Sequence, residues 1–167
     1  ILYCTEYVDE FTIMTLRKYK DFEFKNVCND SIDLDTKEEK EELAKKNDNA
    51  KDMFKTMAEA VSEVKSIRFT NKLKNHPVCL SSDGEISVEM EKAMNAMPFD
   101  NDVKASKVLE INENHPIAKK LENLYNTDKE ELKNMTKVLY AQARLIEGLS
   151  IENPTEISNL ICEYLSK

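Results

Sequence analysis

The spacing of apolar and polar residues predicts a strand–helix–strand unit over residues 1–28. Residues 1–5 are rich in strand-forming side chains, and apolar residues then recur near helical spacing from Val8 to Tyr19. Residues 22–27 alternate apolar and polar side chains, which is the pattern of a half-buried strand. The polar and acidic residues 29–36 are predicted to be a linker.

A second group of elements is predicted between this linker and Pro98. Apolar residues keep to one face over residues 37–61, which indicates a helix whose charged side faces solvent. Two strands and a turn follow, at 64–69, 78–80 and 82–84. Ser87 can cap a helix, and Pro98 disfavours helix at the residue before it, so a short helix is expected between them.

The rest of the chain is predicted to be mostly helical. Its elements are a loop, a strand, a helix and a helical hairpin, at 99–106, 108–111, 115–125, 128–147 and 154–166. The hairpin has strong boundary signals: a capping box at 127–130, Gly148 after the first helix, and the pair Asn153 and Pro154 before the second. Together these elements predict an α+β fold with a small sheet.

The short helix after Ser87 carries a narrow stripe rich in methionine. On a helical wheel the stripe covers an arc of about 100°, and its members are Ile86, Met90, Ala93, Met94 and Met97. Methionine side chains are flexible and polarisable, which suits contact with variable partners. Two interpretations stay open from these residues alone: the stripe packs on the sheet of its own domain, or it is an exposed binding surface.

The terminal hairpin is apolar on more than one face, so it needs more than one packing partner. A second copy of the chain would supply the further partner by completing a four-helix bundle. The alternative is a monomer whose hairpin packs wholly on residues 37–125. For a homodimer the expected interface residues are Val138, Leu139, Ala143, Leu145, Ile146, Ile157, Leu160, Ile161, Tyr164 and Leu165.

Composition limits the chemistry that this chain can perform. The 167 residues suffice for one large domain, and a content of 41% apolar and 34% charged residues is typical of a chain that forms a core. Gly84 and Gly148 are the only glycines, which excludes a glycine-rich phosphate cradle or dinucleotide fingerprint. The net charge of −8 argues against a nucleic-acid partner, and no apolar run is long enough to span a membrane.

No group of residues in the sequence indicates an enzyme. His76 and His115 each precede a proline and are interpreted as element boundaries rather than as metal ligands or general acids. The cysteines are widely spaced and predict reduced, mostly buried thiols of a cytosolic protein; they are Cys4, Cys28, Cys79 and Cys162. A thiol-dependent or metal-dependent enzyme therefore has no ligand spacing to support it.

Four segments, taken in order, carry the motifs of one known family. Residues 109–117 (LEINENHPI) resemble its LEINPDHP segment, and residues 87–96 (SVEMEKAMNA) resemble its S-x-x-MER-x-M-x-A helix. Residues 138–148 (VLYAQARLIEG) are similar to its LLYETALL segment with the glycine after it, and residues 5–10 (TEYVDE) to its TDPIDE step. The chain therefore resembles the heat-shock protein 90 chaperones of the bacterial HtpG type, over nearly its whole length.

The resemblance implies a domain division and a fold. It makes residues 1–33 the end of the middle domain, a strand–helix–strand remnant, and residues 34–167 the C-terminal dimerisation domain. This second domain is expected to be a small sheet with helices, ending in the hairpin that forms a four-helix-bundle dimer. In the family, the domain that binds ATP and magnesium precedes these segments, so neither a cofactor nor a catalytic residue is expected here.

The resemblance also changes the interpretation of the methionine stripe. In the family the equivalent helix projects apolar residues into the dimer cleft, where unfolded clients are contacted. The exposed interpretation then leads, and client contact is assigned to Ile86, Met90, Ala93, Met94 and Met97. The expected function is C-terminal dimerisation and client contact in an ATP-dependent chaperone. The alternative is a purely structural dimer clamp in which the methionine helix is buried.

The sequence departs from the family pattern in three places. Glu113 stands where the family often has proline, and residues 71–73 differ from its Ser-x-Arg-Leu step. The sequence stops soon after the last predicted helix, at residues 164–167, without an acidic MEEVD-type tail. A bacterial, cytoplasmic protein is therefore expected, with an organellar one as the alternative, and no co-chaperone that docks on such a tail is expected. The expected partners are a second copy of the chain and unfolded or partly folded client proteins.

Overall fold

The computed structural model of the chain describes residues 2–25, 36–84, 86–96 and 103–166. Within these residues the fold is α+β, as predicted. The helices are α1 (Tyr7–Leu16), α2 (Lys37–Asn49), α3 (Lys51–Ala58), α4 (Val88–Asn95), α5 (Pro116–Thr127), α6 (Lys129–Ile146) and α7 (Pro154–Leu165). The strands are β1 (Lys18–Tyr19), β2 (Phe22–Glu23), β3 (Val64–Thr70), β4 (Val78–Ser82) and β5 (Lys107–Asn112).

The first helix forms as predicted, but the strands on either side of it do not reach their predicted lengths. α1 begins at a capping box, in which the backbone N–H of Glu6 donates to Asp9 at 3.1 Å. After α1, the two-residue strands β1 and β2 form an antiparallel pair. Residues 2–5 have no regular structure, so the strand predicted there is wrong: strand propensity needs a pairing partner to become a strand. The predicted linker lies, except for Thr36, outside the described residues.

The single helix predicted at 37–61 is two helices in the structure. They meet at Ala50, whose φ of −90° and ψ of 1° fall outside the helical range. α2 begins with the side chain of Thr36 accepting the N–H of Glu39 at 3.3 Å, and none of its residues is buried. α3 buries Met53, Phe54 and Met57. The apolar spacing continues across the break, which is why the sequence pattern did not reveal it.

β5 is the central strand of a sheet with the order β3–β5–β4. β3 runs parallel to β5, with Arg68 opposite Glu110 and Phe69 opposite Ile111. All six residues of β5 are buried. A strand buried on both faces needs helices on each side of the sheet, and this requirement organises the elements around it.

The main core lies where α3, α5 and α6 pack with this sheet. Its fully buried apolar side chains include Met57, Leu109, Ile111, Leu121 and Leu132. The rings of Phe54 and Phe69 pack edge to face, with their centroids 5.0 Å apart. Because Leu132 belongs to α6, this core holds the first helix of the terminal hairpin in place.

A side chain from α2 supplies hydrogen bonds to the edge strand β3. The backbone N–H of Phe69 donates to Asn47 Oδ1 at 2.7 Å, and Asn47 Nδ2 donates to the carbonyl of Phe69 at 3.2 Å. Edge strands leave backbone groups unpaired on their outer side, and Asn47 satisfies both groups of Phe69 there. The polar helix α2 is thereby attached to the sheet without a buried residue of its own.

The last three helices begin and end at the residues that the sequence signals, with one correction. His115 caps α5, since its Nδ1 accepts the N–H of Ile117 at 3.2 Å. Asp128 caps α6 by accepting the N–H of Glu131 at 3.0 Å, so the capping box predicted to begin at 127 is wrong: the cap is one residue later and is a single side-chain bond. Gly148 ends α6 with a φ of 68°, a left-handed conformation that favours glycine.

Backbone contacts divide the chain into two units, residues 1–34 with 81–106 and residues 35–80 with 107–167. The first unit contains α1, the β1–β2 pair and α4. The second contains α2, α3, β3, β5 and the helices α5 to α7, and β4 runs from the second unit into the first. The domain boundary predicted between residues 33 and 34 stays a prediction.

Replacing Leu121 by alanine tests the core of the second unit. Leu121 is 0% exposed, so the Leu121→Ala variant is expected to lose about 2–5 kcal/mol of unfolding free energy through the cavity it creates. Urea titration followed by circular dichroism measures the loss. The matched control is Val8→Ala, a residue 64% exposed, for which a change within about 0.5 kcal/mol is expected. Equal effects of the two substitutions would contradict the described core.

Candidate functional site

Ser87 connects the start of α4 to α1. Its side chain is buried, and its hydroxyl oxygen accepts the N–H of Met90 at 3.0 Å, which confirms the predicted cap. The same hydroxyl donates to Glu10 Oε2 at 2.9 Å. One buried hydroxyl therefore both caps α4 and attaches it to a helix far earlier in the sequence.

α1 and α4 form the walls of a groove of about 540 Å³. The residues that line it are Phe11, Met14, Thr15, Arg17, Ile86, Met90 and Met94. Among these, Arg17 is the one charged side chain, and the others are apolar except for Thr15. The groove thus places Phe11 and Met14 of α1 opposite the methionine stripe of α4.

The structure brings most of the predicted stripe to this groove but exposes little of it. Met90 and Ala93 are each 5% exposed, so the expectation of an exposed stripe is wrong for these two residues. Ile86 and Met94 are half-buried and line the groove together with Met90. Met97 lies outside the described residues. The wall that faces the stripe is a helix, α1, and this was not among the sequence-based interpretations.

The other flank of α4 is attached to the segment 103–106 by hydrogen bonds. Glu91, although buried, is satisfied because its Oε2 accepts the backbone N–H of Ala105 at 2.7 Å. Asn95 Nδ2 donates to the carbonyl of Val103 at 3.2 Å. α4 therefore has a polar attachment along this flank and a largely apolar boundary toward α1.

Three of the predicted dimer residues are buried within the chain itself. Leu139 and Ala143, on α6, belong to the main core and are 4% and 0% exposed. Leu160, on α7, is 9% exposed. Tyr164 is half-buried and packs against the core, with Lys120 Nζ 5.9 Å from the centre of its ring. These side chains stabilise the hairpin from the inside.

Four other predicted dimer residues are exposed, and we call them the hairpin surface: Leu145 at 61%, Ile146 at 48%, Ile161 at 41% and Leu165 at 82%. Val138 and Ile157 are half-buried. Ile161 and Leu165 are four residues apart and therefore share one face of α7. The hairpin thus has an inner apolar face that the chain covers and an outer one that it leaves exposed.

An ion pair joins α6 and α7. Lys137 Nζ lies 2.6 Å from Glu156 Oε1, which joins the middle of α6 to the first turn of α7. Since α6 ends at Ile146 and α7 at Leu165, Leu145 lies near the turn between the helices and Leu165 lies at the opposite end of the hairpin. The hairpin surface therefore extends along the hairpin rather than forming one pocket.

Arg144 stabilises the turn between α6 and α7. Its Nε donates to the carbonyl of Ser150 at 2.7 Å, its Nη1 pairs with Glu63, and its guanidinium lies 5.5 Å from the ring centre of Tyr140. Glu152 approaches the same nitrogen at 4.0 Å. Sequence reasoning missed this cluster, although a lone arginine in an apolar stretch of helix was an available signal.

Ionisation in this cluster favours its folded geometry. Burial alone would raise the pKa of Glu63, but hydrogen bonds with Glu152 and Tyr140 and the charge of Arg144 lower it to about 2. Burial and the hydrogen bond to Glu63 raise the pKa of Tyr140. At neutral pH the carboxylate is therefore charged and the phenol neutral, so Tyr140 can donate its proton to Glu63 at 2.6 Å.

The histidines and cysteines do not gather into a reactive group within the part of the chain described here. His115 is a helix cap, which confirms its interpretation as an element boundary. Cys4 and Cys162 are exposed, so the expectation of mostly buried thiols is wrong for them, while Cys79 is half-buried. Cys28 lies outside the described residues. No set of three or more possible metal ligands comes together in the described ranges.

The described helices are also too short or too polar to cross a membrane: not one of them has an apolar stretch of the required length.

Comparison with known proteins gives one consistent result. A family model described as "Hsp90 protein" matches residues 1–167. A protein named "Chaperone protein HtpG" from Bacillus subtilis (strain 168) is 46% identical over 166 residues, which is 99% of this chain and 26% of that protein. Proteins of the same name from Clostridium botulinum (strain Langeland) and Clostridium perfringens (strain 13) are 47% and 46% identical over the same shares. The chain thus spans about a quarter of the length of these relatives.

The low pKa of Glu63 predicts a specific dependence of stability on pH. The pKa of Glu63 is about 2 in the folded chain and is taken as the ordinary value of 4.5 in the unfolded chain. The carboxylate therefore contributes its full stabilisation above pH 4.5. The contribution disappears as the pH falls toward 2, where the unfolded chain binds the proton more tightly than the folded one. Urea unfolding at several pH values should therefore show that Glu63→Gln is less stable than the original chain at pH 7 and that the difference shrinks toward pH 2. A difference that stays constant with pH would contradict this role.

Proposed function

Because the chain belongs to the Hsp90 protein family, we propose that it is the C-terminal dimerisation module of an ATP-dependent chaperone and also contributes client-contacting surface. Its proposed partners are a second copy of the chain and unfolded or partly folded client proteins. The relatives named as chaperone protein HtpG support the chaperone function. The proposed location is the bacterial cytoplasm.

The exposed hairpin surface is the observation that carries the dimer proposal. Single exposed apolar residues are ordinary, but here they recur on both helices of one hairpin, and on α7 they share a face. A second hairpin packed on this surface would bury them, and each large side chain would contribute about 1.5–3 kcal/mol if fully buried. The apolar inner face supports the same proposal, because it holds both helices in a fixed arrangement before a partner arrives.

Three local contacts support a hairpin that is ordered in the single chain. Lys137 pairs with Glu156 across the two helices, and Arg144 fixes the turn between them. Gly148 allows the turn to begin, with its N–H donating to the carbonyl of Leu145 at 3.0 Å. An interface that is already ordered loses less conformational entropy on association than a flexible one. The hairpin is therefore suited to form a stable dimer.

We propose the α1–α4 groove as the client-contacting surface, with Ile86, Met90, Ala93, Met94 and Met97 as the residues on the α4 side. Methionine side chains adapt to partners of different shape, which a chaperone surface requires. Ile86 and Met94 support the proposal most directly, because they are half-buried and line the open groove. Several weak apolar contacts of this kind would allow both capture and release.

The burial of Met90 and Ala93 favours a second candidate function. If the stripe stays buried, the chain is a structural clamp that joins two copies and contacts no client. The two candidates share the dimer but differ in the α4 surface. An assay of client aggregation separates them.

ATP hydrolysis and its magnesium ion are proposed to belong to a part of the longer protein that precedes these residues. A glycine-rich phosphate loop is not formed here, because Gly84 follows strand β4, Gly148 ends α6, and neither has a second glycine near it. No catalytic residue is proposed for this chain. Its contribution to an ATP-driven cycle would be to hold two copies together.

Leu165→Glu is expected to weaken the dimer without unfolding the chain. Leu165 is 82% exposed in the single chain, so the charge is tolerated there, but it would be buried without a partner in the proposed interface. Sedimentation should give twice the mass of one chain for the original protein and a dissociation constant at least about tenfold higher for the variant. Leu160→Glu is a poorer test, because Leu160 is already buried and its loss would damage the hairpin itself.

The matched control for the dimer is Asn159→Glu. Asn159 is also exposed on α7, but it lies on the side of the helix away from Ile161 and Leu165, so the control should dimerise like the original chain. A monomer at high micromolar concentration, or equal weakening by both substitutions, would contradict the proposed interface.

Ile86→Ser combined with Met94→Ser is expected to reduce client capture. Both residues line the groove and are only half-buried, so the double substitution should leave circular dichroism and the dimer unchanged. The measurement is light scattering of reduced insulin with the full-length chaperone or its variant present, and suppression of aggregation should fall severalfold. Leu43→Ser, a half-buried residue on α2, is the control and should suppress normally. Unchanged suppression by the double variant would favour the structural clamp.

A further inference from the structure

The one charged residue that lines the α1–α4 groove lies at the end of its α1 wall. α1 ends at Leu16, and Arg17 follows it directly. The other lining residues are apolar except for Thr15, whose hydroxyl already donates to the carbonyl of Phe11 at 2.8 Å. Arg17 therefore supplies the charge by which this groove could distinguish one apolar segment from another.

We propose that Arg17 makes the groove selective for apolar segments of unfolded chains that carry an aspartate or glutamate, with whose carboxylate Arg17 pairs. This inference rests on the proposed client-contacting function and adds the class of segment that is bound. Binding grooves commonly combine apolar walls with a few polar groups that fix the orientation of the ligand. A guanidinium suits this role, since its planar array of N–H donors matches the two oxygens of a carboxylate.

The side chain of Arg17 is available for such a partner. Arg17 is exposed, and among the described residues its guanidinium has neither a hydrogen bond nor an ion pair. The other two arginines of the chain, Arg68 and Arg144, each pair with a glutamate. A carboxylate on a bound segment would therefore not have to displace a described internal partner of Arg17.

The backbone at Arg17 has a conformation that residues other than glycine rarely adopt. Its φ is 58° and its ψ is −41°. The conformation is held from both sides, because the N–H of Arg17 donates to the carbonyl of Ile13 at 2.8 Å and the carbonyl of Arg17 accepts the N–H of Phe24 at 3.0 Å. Strained residues cluster at binding sites, where the surrounding structure maintains them. The fold thus gives Arg17 a defined position at the end of α1.

The charges along α1 give a bound segment a direction. The first turn of α1 carries Asp9 and Glu10, and its last turn carries no basic residue. Positive charge begins at Arg17 and continues at Lys18 and Lys20. Cations stabilise the C-terminal end of a helix, and all three can do so, but among them Arg17 is the one that lines the groove. Charge complementarity therefore favours a carboxylate at the Arg17 end.

The binding of three dansyl-labelled peptides to the whole chain tests this selectivity. The peptides share one apolar sequence and differ at a single position near one end, which is glutamate, glutamine or lysine. Fluorescence anisotropy gives a dissociation constant for each. The glutamate peptide should bind about fivefold more tightly than the glutamine peptide, the upper range for an ion pair that solvent still reaches, and the lysine peptide should bind most weakly. Added salt should reduce this preference, because it screens an exposed pair.

Substitutions at Arg17 and at its neighbour assign the preference to one residue. Arg17→Gln should reduce the ratio of the glutamine-peptide to the glutamate-peptide dissociation constant from about five to about one. Arg17→Lys keeps the charge without the planar array of donors and should retain part of the ratio. Lys18→Gln is the matched control, because it removes a charge at the same end of α1 from a residue that does not line the groove. It should keep the full ratio, and circular dichroism checks that each variant is folded.

The outcomes separate the role of Arg17 from that of the groove. Loss of the ratio in Arg17→Gln, with the ratio kept in Lys18→Gln, supports the selectivity. The selectivity is overturned if the two variants lose the ratio equally. It is also overturned if the original chain binds the glutamine peptide as tightly as the glutamate peptide, while Ile86→Ser with Met94→Ser weakens both; the groove then stands as a client site. If no peptide binds, or if that double variant binds every peptide like the original chain, the client-contacting function of the groove fails and the selectivity fails with it.

Discussion

The structure depends on a central strand that is buried along its whole length and still carries polar side chains. Glu110 is 3% exposed, and its carboxylate is paired with Arg68 on the neighbouring strand. Arg68 and Glu110 stand opposite each other in the parallel register of β3 and β5. A shift of the strand register by one residue would leave the buried carboxylate of Glu110 without Arg68. Removing one partner of a buried ion pair costs roughly 3–5 kcal/mol. The ion pair therefore selects the register as much as it stabilises the sheet.

The same strand determines where the helices can lie. Asn112, 1% exposed, donates to the carbonyl of His76, so the chain that leads into β4 is held beside the end of β5. The apolar members of β5, among them Leu109 and Ile111, need cover, and α3, α5 and α6 supply it in one core. α6 is in this way fixed by the sheet, and the hairpin that α6 begins is positioned by the core.

Local signals in the sequence predicted the elements well, because caps and periodicity act over a few residues. Ser87, His115 and Asn153 each cap the helix that was expected from them. The break at Ala50 and the missing strand at residues 2–5 were not predicted, since neither changes the apolar spacing. The packing between elements was harder to predict, because a helical wheel shows that α4 has an apolar side but not which element packs against it.

The candidate site illustrates the same limit. Ser87 and Glu10 are 77 residues apart, and no local pattern in either segment predicts that Ser87 donates a hydrogen bond to Glu10. On the hairpin, the sequence identified apolar faces but could not sort residues such as Leu139, which the core buries, from Leu165, which it leaves exposed. Arg144 was overlooked because its partners come from a distant turn at Glu63 and from the following turn at Ser150.

The two surfaces of the chain differ in a way that suits two functions. The hairpin is ordered by a core, an ion pair and the Arg144 cluster, and it exposes an apolar surface that a permanent partner would cover. The described residues of the methionine stripe instead lie at an open groove between α1 and α4, with Met90 and Ala93 buried and Ile86 and Met94 half-buried. An exposed apolar surface on an ordered hairpin and a partly buried methionine groove are the physical basis of the proposed division between dimerisation and client contact.

The central claim is that the hairpin surface on α6 and α7 joins two copies of the chain. Isotope-filtered nuclear magnetic resonance on an equimolar mixture of labelled and unlabelled chains observes contacts between copies only. The account predicts intermolecular methyl contacts that include Ile161 and Leu165, whose side chains the single chain leaves exposed. Intermolecular contacts confined to another face, or none at a concentration where the mass is that of a dimer, would contradict it.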